Sequence, residues 1–347
     1  MVSTPMFRPT PLRPAALLSG VLLLGALTAC GDADARTDAG SDPSTAGGYP
    51  VGLANCGVDV EVTRPIERAV AVNQPALELL LALGLGDRMT GYAISDDSVL
   101  PELEEERAKV KPFAAEFPSF ESVLDRDPDF LYTTFDYTFT DEGIADRERF
   151  TGLGVPTYQS PSECAGQEAE VKKALTLQDQ YDEITDVARL FGVEDKGAAL
   201  VADLQDRAAA AKPADGADEV TLAWWYAATK SPYIAGCCGA PGLMTRAVGA
   251  TNAFEESDQY WPEIGWESIL DKDPTVLVLA DLGRGGDGDS AKAKIAFLES
   301  DPVASRLTAV KEKRYIILDG TTMDPSIRNV DGIEQLAAGL RKLGLAS

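Results

Sequence analysis

The chain has 347 residues, of which 45% are apolar, 25% charged and 7% aromatic. This composition predicts a folded protein and excludes a disordered chain or a multispanning membrane protein. The net charge of −25 disfavours nucleic acid and anionic membrane surfaces as partners. The complete absence of histidine excludes a Ser-His-Asp triad, an HExxH zinc site and a histidine-ligated haem or manganese pocket.

Residues 1–30 have the order of features of a bacterial lipoprotein signal peptide. Arg8 and Arg13 precede an apolar run, Ala15–Ala29, that is too short to span a bilayer comfortably. The run ends in L-T-A-C-G, which resembles a lipobox, so we expect cleavage before Cys30 and lipidation of that residue. Residues 31–48, rich in Gly, Ala, Ser, Asp and Thr, predict a flexible tether. These features predict an extracytoplasmic protein, lipid-anchored to the outer face of the cell membrane; a buried hydrophobic segment is the alternative.

Four cysteines remain after Cys30, and an exported protein favours disulfides over metal thiolates. They permit three pairings, of which we favour Cys56–Cys164. The adjacent Cys237 and Cys238 either close as a vicinal disulfide or stay reduced.

Each half of the chain contains an apolar strand followed by a helix. In the first half, Ala69–Asn73 predicts a strand and the segment from Pro75 to Gly84 an amphipathic helix. In the second half, a strand over Val220–Tyr226 precedes a helix over Pro241–Val248. Strands with nearly continuous apolar character are typical of parallel sheets covered on both faces.

A repeated segment links the two halves. Glu121–Leu131 and Glu267–Leu277 match at seven of eleven positions with a constant offset of 146 residues. Each predicts a short helix that ends before a proline and then a buried strand. A repeated helix-strand unit predicts two lobes with similar sheets.

Between the halves, five apolar residues recur with the spacing of one helix face: Leu177, Tyr181, Ile184, Ala188 and Phe191. A helix of roughly 16–18 residues would be about 25 Å long and would join two lobes. We therefore predict an α/β protein of two Rossmann-like lobes with mostly parallel sheets, joined by one long connecting α-helix. The expected boundaries are residues 49–172, 173–216 and 217–347 for the first lobe, the connecting helical segment and the second lobe.

Together these features resemble the substrate-binding lipoproteins of iron-siderophore and cobalamin ABC importers. The resemblance extends from about Arg68 to Leu340 and depends on the order of several motifs: P-I-E-R-A-V-A-V from residue 65, the two E-S-[VI]-L-D-x-D-P segments, P-G-L-M from 241, V-G-A-T-N-A-F from 248, Y-W-P-E-I from 260 and F-L-E-S-D-P from 297. The segments N-C-G, P-S-E-C and G-A-P-G look most like an actinobacterial branch, some of whose members are assigned to a deazaflavin cofactor precursor.

The resemblance implies a binding protein that captures a ligand between its lobes and delivers it to a dimeric ABC permease with its ATPase. With the missing histidines, it favours an Fe(III)-siderophore as ligand; cobalamin and a deazaflavin precursor are alternatives. It implies a monomer that is not an enzyme, with no catalytic residues, no resident cofactor, no metal site and no nucleic acid partner.

Ligands of open α/β sheets bind beyond the carboxyl ends of the strands. In the first lobe this rule selects Asn73, Gln74, Ser95, Asp96, Phe135, Asp136 and Tyr137, and in the second lobe Trp225, Tyr226, Tyr233, Asp281 and Arg284. The resemblance adds Trp261, which matches a cleft position of cobalamin binders, and Arg328. Aromatic side chains suit a large rigid ligand, and arginine suits its carboxylates or catecholates. Core packing is the alternative for each aromatic residue, and one of Trp224 and Trp225 must face the core.

By position, Glu121 and Glu267 match the glutamates that dock the family's lobes onto permease arginines. The alternative is that each carboxylate stabilises the first turn of its helix. Docking also explains the aromatic residue, Phe120 or Trp266, that precedes each glutamate.

Proteins of three other classes remain as rivals. An anchored hydrolase would use Asp281 with Asp287, or Glu255 with Glu256, as acid and base. A direct metal-ion binder would need oxygen or thiolate ligands in place of histidine. A sensor domain would share the fold.

Overall fold

The computed structural model describes residues 48–166, 173–211 and 215–347. The first lobe contains a five-stranded parallel sheet in the order β5-β4-β3-β6-β7 and a separate antiparallel hairpin of β1 and β2. Its strands are β1 (Val51–Asn55), β2 (Val58–Val62), β3 (Ala69–Val72), β4 (Met89–Ala93), β5 (Pro112–Ala114), β6 (Phe130–Thr133) and β7 (Thr157–Gln159). Its helices are α1 (Gln74–Ala82), α2 (Glu104–Arg107), α3 (Phe120–Leu124) and α4 (Arg147–Thr151).

Two helices, α5 (Leu177–Leu190) and α6 (Glu194–Ala211), connect this lobe to the second. The second lobe contains a four-stranded parallel sheet in the order β11-β10-β8-β9. Its strands are β8 (Thr221–Trp225), β9 (Thr251–Asn252), β10 (Val276–Asp281) and β11 (Tyr315–Asp319). Its helices are α7 (Ala240–Ala247), α8 (Trp266–Lys272), α9 (Ala291–Ser300), α10 (Thr308–Lys311) and α11 (Arg328–Lys342). The predicted α/β fold of two lobes with parallel sheets is confirmed.

Both faces of each sheet are covered, as the apolar strands predict. Along β10, Val276 and Val278 pack into the core on one face of the sheet, and Leu277 and Leu279 pack into the core on the other. Because successive side chains of a strand point to opposite faces, a strand with two buried faces has to be apolar throughout.

The predicted connecting helix is present, but a second helix follows it. All five apolar residues of the predicted face pack into the core of the first lobe. Helix α5 has 14 residues and starts at a capping box formed by Thr176 and Asp179. It ends before Gly192, whose φ of 63° lets the chain turn, and α6 then packs back against α5. The connection is therefore a pair of packed helices instead of a single rod, because a glycine interrupts the helical pattern.

The lobes also share a buried contact that does not involve the connecting helices. Arg328, at the start of α11, is 2% exposed, and Glu78 on α1 is 0% exposed. The Arg328 Nε donates to Glu78 Oε2 at 2.7 Å, and its Nη2 donates to Glu78 Oε1 and to the Ser98 carbonyl. Burial disfavours the arginine charge, but the bonds to Glu78 raise the pKa of Arg328 above its ordinary value.

Further contacts between the lobes surround this ion pair. The Asp97 carboxylate accepts hydrogen bonds from the Thr321 amide at 3.2 Å and hydroxyl at 2.9 Å. Two residues of the second lobe, Ile327 and Val330, belong to the core of the first. The lobes are therefore held by packed and hydrogen-bonded groups as well as by the chain that connects them.

Both cysteine pairs form disulfides. Cys56 is bonded to Cys164, which confirms the favoured pairing, and Cys237 is bonded to Cys238.

The predicted signal peptide, the lipidation site Cys30 and residues 31–47 of the tether lie outside the described residues. Within the part of the chain that is described, no helix combines the length and apolar character needed to cross a bilayer.

Replacing Arg328 tests the contact between the lobes. Arg328→Met leaves the Glu78 charge buried without its partner, so we expect the free energy of unfolding in urea to fall by about 3–5 kcal/mol. The control is Arg314→Met, whose ion pair with Glu312 is partly exposed and whose loss should cost about 1 kcal/mol or less. Equal losses in the two variants would contradict the structural role of the buried pair.

Candidate ligand-binding cleft

A cavity of about 230 Å³ lies where the carboxyl ends of the strands of both lobes meet. The first lobe contributes residues that follow β3, β4, β5 and β6, and the second contributes residues that follow β8, β10 and β11, together with Trp261. The lining residues are Asn73, Gln74, Pro75, Ile94, Asp96, Phe117, Phe135, Tyr137, Tyr226, Trp261, Arg284 and Asp324. This is the edge at which parallel sheets bind ligands.

Aromatic side chains form a wall on each side of the cavity. In the first lobe, Phe135 and Tyr137 stack with ring centroids 5.1 Å apart, and Phe117 meets the Tyr137 ring edge-on at 5.6 Å. In the second lobe, Tyr226 and Trp261 lie 5.0 Å apart. Phe117 and Tyr137 are 38% and 37% exposed, although large aromatic side chains are usually covered. The walls therefore present accessible apolar surface to a ligand.

Polar groups at the ends of β3 and β4 fix the floor of the cavity. The Gln74 Oε1 accepts hydrogen bonds from the Asp97 amide at 2.8 Å and from the Ser95 hydroxyl at 3.2 Å. The Asn73 side chain accepts a hydrogen bond from the Thr133 hydroxyl at 3.0 Å. These amides hold the loops that carry the lining residues.

Two residues of the floor have strained backbones. Asn73 has a φ of 72°, and the β-branched Ile94 has a φ of 60°. Such conformations cost free energy and persist where the surrounding structure holds them, often at ligand sites. Their presence side by side in the cavity lining agrees with a binding role for this edge.

Three charged residues line the cavity. Arg284 donates to Asp289 at 2.9 Å, and its guanidinium lies 5.4 Å from the centre of the Tyr226 ring. Desolvation in the cleft raises the pKa of Asp96, against the opposing effect of Arg284. Burial raises the pKa of Asp324 to about 8, and the neighbouring Asp96 carboxylate adds to this effect.

The structure brings six of the ten predicted ligand-binding residues to the cavity lining: Asn73, Gln74, Phe135, Tyr137, Tyr226 and Trp261. Ser95 lies one residue before the lining residue Asp96 and bonds to Gln74. The Asp136 carboxylate lies against Gly166, so close that a Cβ atom added to Gly166 would be 2.6 Å from the Asp136 Oδ2. Neither residue forms part of the lining.

The predicted cleft positions of Trp225 and Arg328 are wrong. Trp225 is 1% exposed and packs edge-on against Trp266 at 4.8 Å, because the face of the sheet on which it lies is covered by helices. Trp224 is also buried, on the other face, so neither tryptophan of the pair reaches the cavity. Arg328 is withdrawn from the cleft by its bonds to Glu78.

Of the additional candidates, Arg284 and Asp96 line the cavity, whereas Tyr233 and Asp281 do not. The Asp281 carboxylate accepts the Ala291 amide, and Asp287 accepts the Thr229 amide and hydroxyl. These two carboxylates, the candidate acid and base of a hydrolase, thus stabilise the local backbone by hydrogen bonds.

Phe117 and Asp324 line the cavity but were not predicted from the sequence. Both follow strands that have no clear sequence pattern, since β5 has only three residues and β11 alternates buried with exposed residues. The carboxyl-end rule finds both once those strands are recognised.

Comparison with known proteins identifies the family of a chain with this fold and cleft. Residues 70–322 match the family model described as periplasmic binding protein. The chain belongs to the periplasmic binding protein family.

Two curated members of comparable size are similar to this periplasmic binding protein. An uncharacterised ABC transporter substrate-binding lipoprotein of Bacillus subtilis is 24% identical over 332 residues, covering 94% of this chain and 95% of the relative. The vitamin B12-binding protein of Vibrio parahaemolyticus is 23% identical over 232 residues, covering 66% of this chain and 76% of the relative.

Solved structures share the fold. A periplasmic binding protein from Veillonella parvula has a TM-score of 0.74 at 24% identity, covering 84% of this chain and 97% of that one. An ABC-type Fe3+-hydroxamate transport system protein from Saccharomonospora viridis has a TM-score of 0.68 at 27% identity, covering 84% of this chain and 99% of that one.

Both glutamates of the repeated segment of this periplasmic binding protein are exposed, in the first turns of α3 and α8. The aromatic residue before each glutamate packs inward: Phe120 lies 4.9 Å from Phe150, and Trp266 contacts Trp225. The aromatic residues thus anchor the two helices, which gives them a structural reason independent of docking.

The cysteine pair 237–238 lies beside the cleft of the binding protein. Cys238 and Tyr260 form a small buried cluster against which the lining residue Trp261 packs. Within the described ranges, no group of three or more acidic or cysteine side chains is arranged to hold a metal ion.

The raised pKa of Asp324 predicts how stability changes with pH. The folded state holds this proton up to about pH 8, whereas an unfolded aspartate releases it near its ordinary pKa of 3.8. Its stabilising contribution is therefore complete below about pH 4 and is lost as the pH rises to 8. Asp324→Asn removes that loss, so we expect its stability relative to wild type to be about 1 kcal/mol or more higher at pH 8 than at pH 5.

Chemical denaturation at both pH values measures this difference. The matched control is Asp206→Asn, an exposed residue of α6, which should behave alike at pH 5 and pH 8. A difference for Asp324→Asn no larger than the control would contradict the assignment of a buried, protonated carboxyl group.

Proposed function

We propose that this protein is the extracytoplasmic, lipid-anchored substrate-binding component of an ABC importer, and that it captures an Fe(III)-siderophore in the cleft between its lobes. The observation that carries the proposal is the cavity at the carboxyl ends of both parallel sheets, walled by aromatic side chains from each lobe. Family membership supports the binding role. The lipobox at Cys30 and the lipoprotein relative of Bacillus subtilis support the anchor.

The form of the cleft supports a large, partly apolar ligand. Five aromatic side chains from two lobes offer broad contact area with few rotatable bonds, which limits the entropy lost on binding. The relative of known structure from Saccharomonospora viridis is named for ferric hydroxamate transport, and a ferric hydroxamate has this character. An iron chelate also needs no metal ligand from the protein.

Cobalamin is the second candidate ligand. The Vibrio parahaemolyticus relative is named as a vitamin B12-binding protein. Trp261, placed in the cleft by its resemblance to cobalamin binders, does line the cavity.

The glutamates Glu121 and Glu267 are proposed to dock the two lobes onto arginines of the permease dimer. Each side chain is exposed and lies at the N-terminal turn of a helix that leads into a central strand, β6 or β10. Helices that precede parallel strands begin near the carboxyl edge of the sheet. We therefore expect both carboxylates at the edge at which the cleft opens, where a single permease surface meets both.

Titration with ligands tests the binding role. We expect tryptophan fluorescence of the purified protein to be quenched by a ferric hydroxamate, because Trp261 lines the cavity while Trp224, Trp225 and Trp266 are 0%, 1% and 6% exposed. Trp261→Phe should lose most of the quenching, and Trp224→Phe should retain it. No quenching with ferric hydroxamates, ferric catecholates or ferric citrate would remove iron chelates as the cargo, and quenching with cobalamin alone would establish the second candidate.

Uptake in cells tests the docking role. The double variant Glu121→Ala with Glu267→Ala should bind the ligand with unchanged affinity and lose uptake, because only the contact with the permease is removed. A control pair with one exposed glutamate on each lobe, Glu105→Ala with Glu219→Ala, should keep both activities. Weakened ligand binding in the first pair, or normal uptake, would refute docking through these two residues.

A further inference from the structure

The charges of the cleft bear on which ligands it accepts. The positive charges that an anionic ligand would need are already balanced within the protein. Arg284 bonds to Asp289, which is 4% exposed and also accepts the Gly286 amide at 2.7 Å. Arg328 is sealed beneath the floor by Glu78. Arg328 is therefore withheld from a ligand, and the charge of Arg284 is already paired with Asp289.

Among the described residues, the two carboxyl groups of the cleft have no hydrogen-bonded partner of this kind, although Arg284 acts on both electrostatically. Asp324 lines the cavity and is 8% exposed, and across the described ranges the structure records no hydrogen bond to its carboxylate. Asp96 lines the same cavity from the other lobe. A carboxyl group that is largely desolvated and unpaired gains from a ligand group that hydrogen-bonds to it.

The aromatic side chains of the cavity also favour a cationic ligand. The faces of Tyr137, Tyr226 and Trp261 are regions of negative electrostatic potential, and cations are stabilised against such rings. The Arg284 guanidinium already lies against the Tyr226 ring in this manner.

We infer that the cleft selects a cationic ligand, whose ammonium group binds between Asp324 and Asp96 against the aromatic walls, and discriminates against anionic chelates. This inference rests on the proposed function and specifies its substrate class. Applied to iron chelates, it favours a ferric trihydroxamate that carries a free amine over ferric catecholates and ferric citrate.

Proton release accompanies this binding. At neutral pH the Asp324 carboxyl is protonated, since burial raises its pKa to about 8. An ammonium group, with an ordinary pKa of about 10.4, keeps its charge and favours the ionised carboxylate. The charged and titratable groups that act on Asp324 or feel its charge are Asp96, Asp97, Arg284, Arg328, Tyr137 and Tyr226.

Affinity for the cation should therefore rise with pH between about 6 and 8, by up to about tenfold per unit, and level off above. Burial raises the pKa of both tyrosines, so they stay neutral across this range, and the arginines stay charged.

A charge series on one chelate tests the inference. The probes are a linear ferric trihydroxamate with a terminal ammonium group, its neutral N-acetyl derivative and its anionic N-succinyl derivative, titrated calorimetrically against the purified protein. We expect the ammonium form to bind about tenfold or more tightly than the succinyl form, with the acetyl form between them. Equal affinities, or tightest binding of the succinyl form, would overturn the inference.

Variants locate the effect. Asp324→Asn should weaken binding of the ammonium form about tenfold more than binding of the acetyl form, and should remove the pH dependence. Asp206→Asn, on the surface of α6, should change none of these. A pH-independent affinity in wild type, or equal losses for both probes in Asp324→Asn, would count against the inference.

The outcomes separate this inference from the proposed function. Tight binding of a ferric catecholate in place of the hydroxamates overturns the charge preference and leaves iron-chelate capture standing. If cobalamin binds instead of all iron chelates, its monocarboxylate derivative supplies the charge comparison, and tighter binding of the anionic form overturns the preference. Failure of every probe overturns both.

Discussion

The buried ion pair between Glu78 and Arg328 is the contact on which the arrangement of this molecule depends. Two opposite charges removed from water are stable only when each satisfies the other, so the first turn of α11 has to remain against α1. The same turn inserts Ile327 and Val330 into the core of the first lobe. An interface built in this way resists sliding, since any displacement exposes apolar surface and separates the charges. We therefore expect the lobes to keep one arrangement before a ligand binds.

A fixed interface explains why the cleft can hold groups that are unfavourable in isolation. Asn73 and Ile94 keep strained backbones, Phe117 and Tyr137 stay partly exposed, and the buried Asp324 side chain has no hydrogen bond to any described residue. Each of these features costs stability, and the surrounding core holds them in place. A site prepared in this way loses little conformational entropy on binding, which favours affinity and selectivity. The arginines of the cleft are hydrogen-bonded to carboxylates, whereas its aspartates are not paired in this way. This difference favours cationic ligands.

Structural features with a local or periodic pattern were predictable from the sequence. Alternation along β10, the apolar face of α5 and the repeated helix-strand segment each depend on spacing alone, and each is confirmed. Positions whose environment depends on distant parts of the chain were not predictable. Nothing local to Trp225 shows that its face of the sheet is covered, and nothing near Arg328 shows that Glu78, 250 residues earlier, meets it. Asp324 escaped notice because β11 is half exposed and carries no strong strand pattern.

The most direct test of the account is the distance between the lobes with and without ligand. Spin labels can be attached at Glu148→Cys in the first lobe and Lys311→Cys in the second, because both positions are exposed. The four native cysteines described are paired in disulfides and do not react with the label. Pulsed electron paramagnetic resonance should give one narrow distribution of label-to-label distances. This distribution should stay unchanged when the ferric chelate that the protein binds is added, and should broaden in Arg328→Met. Two populations in the free protein, or a shift of the wild-type distribution on binding, would show that the lobes move and that the buried pair does not fix them.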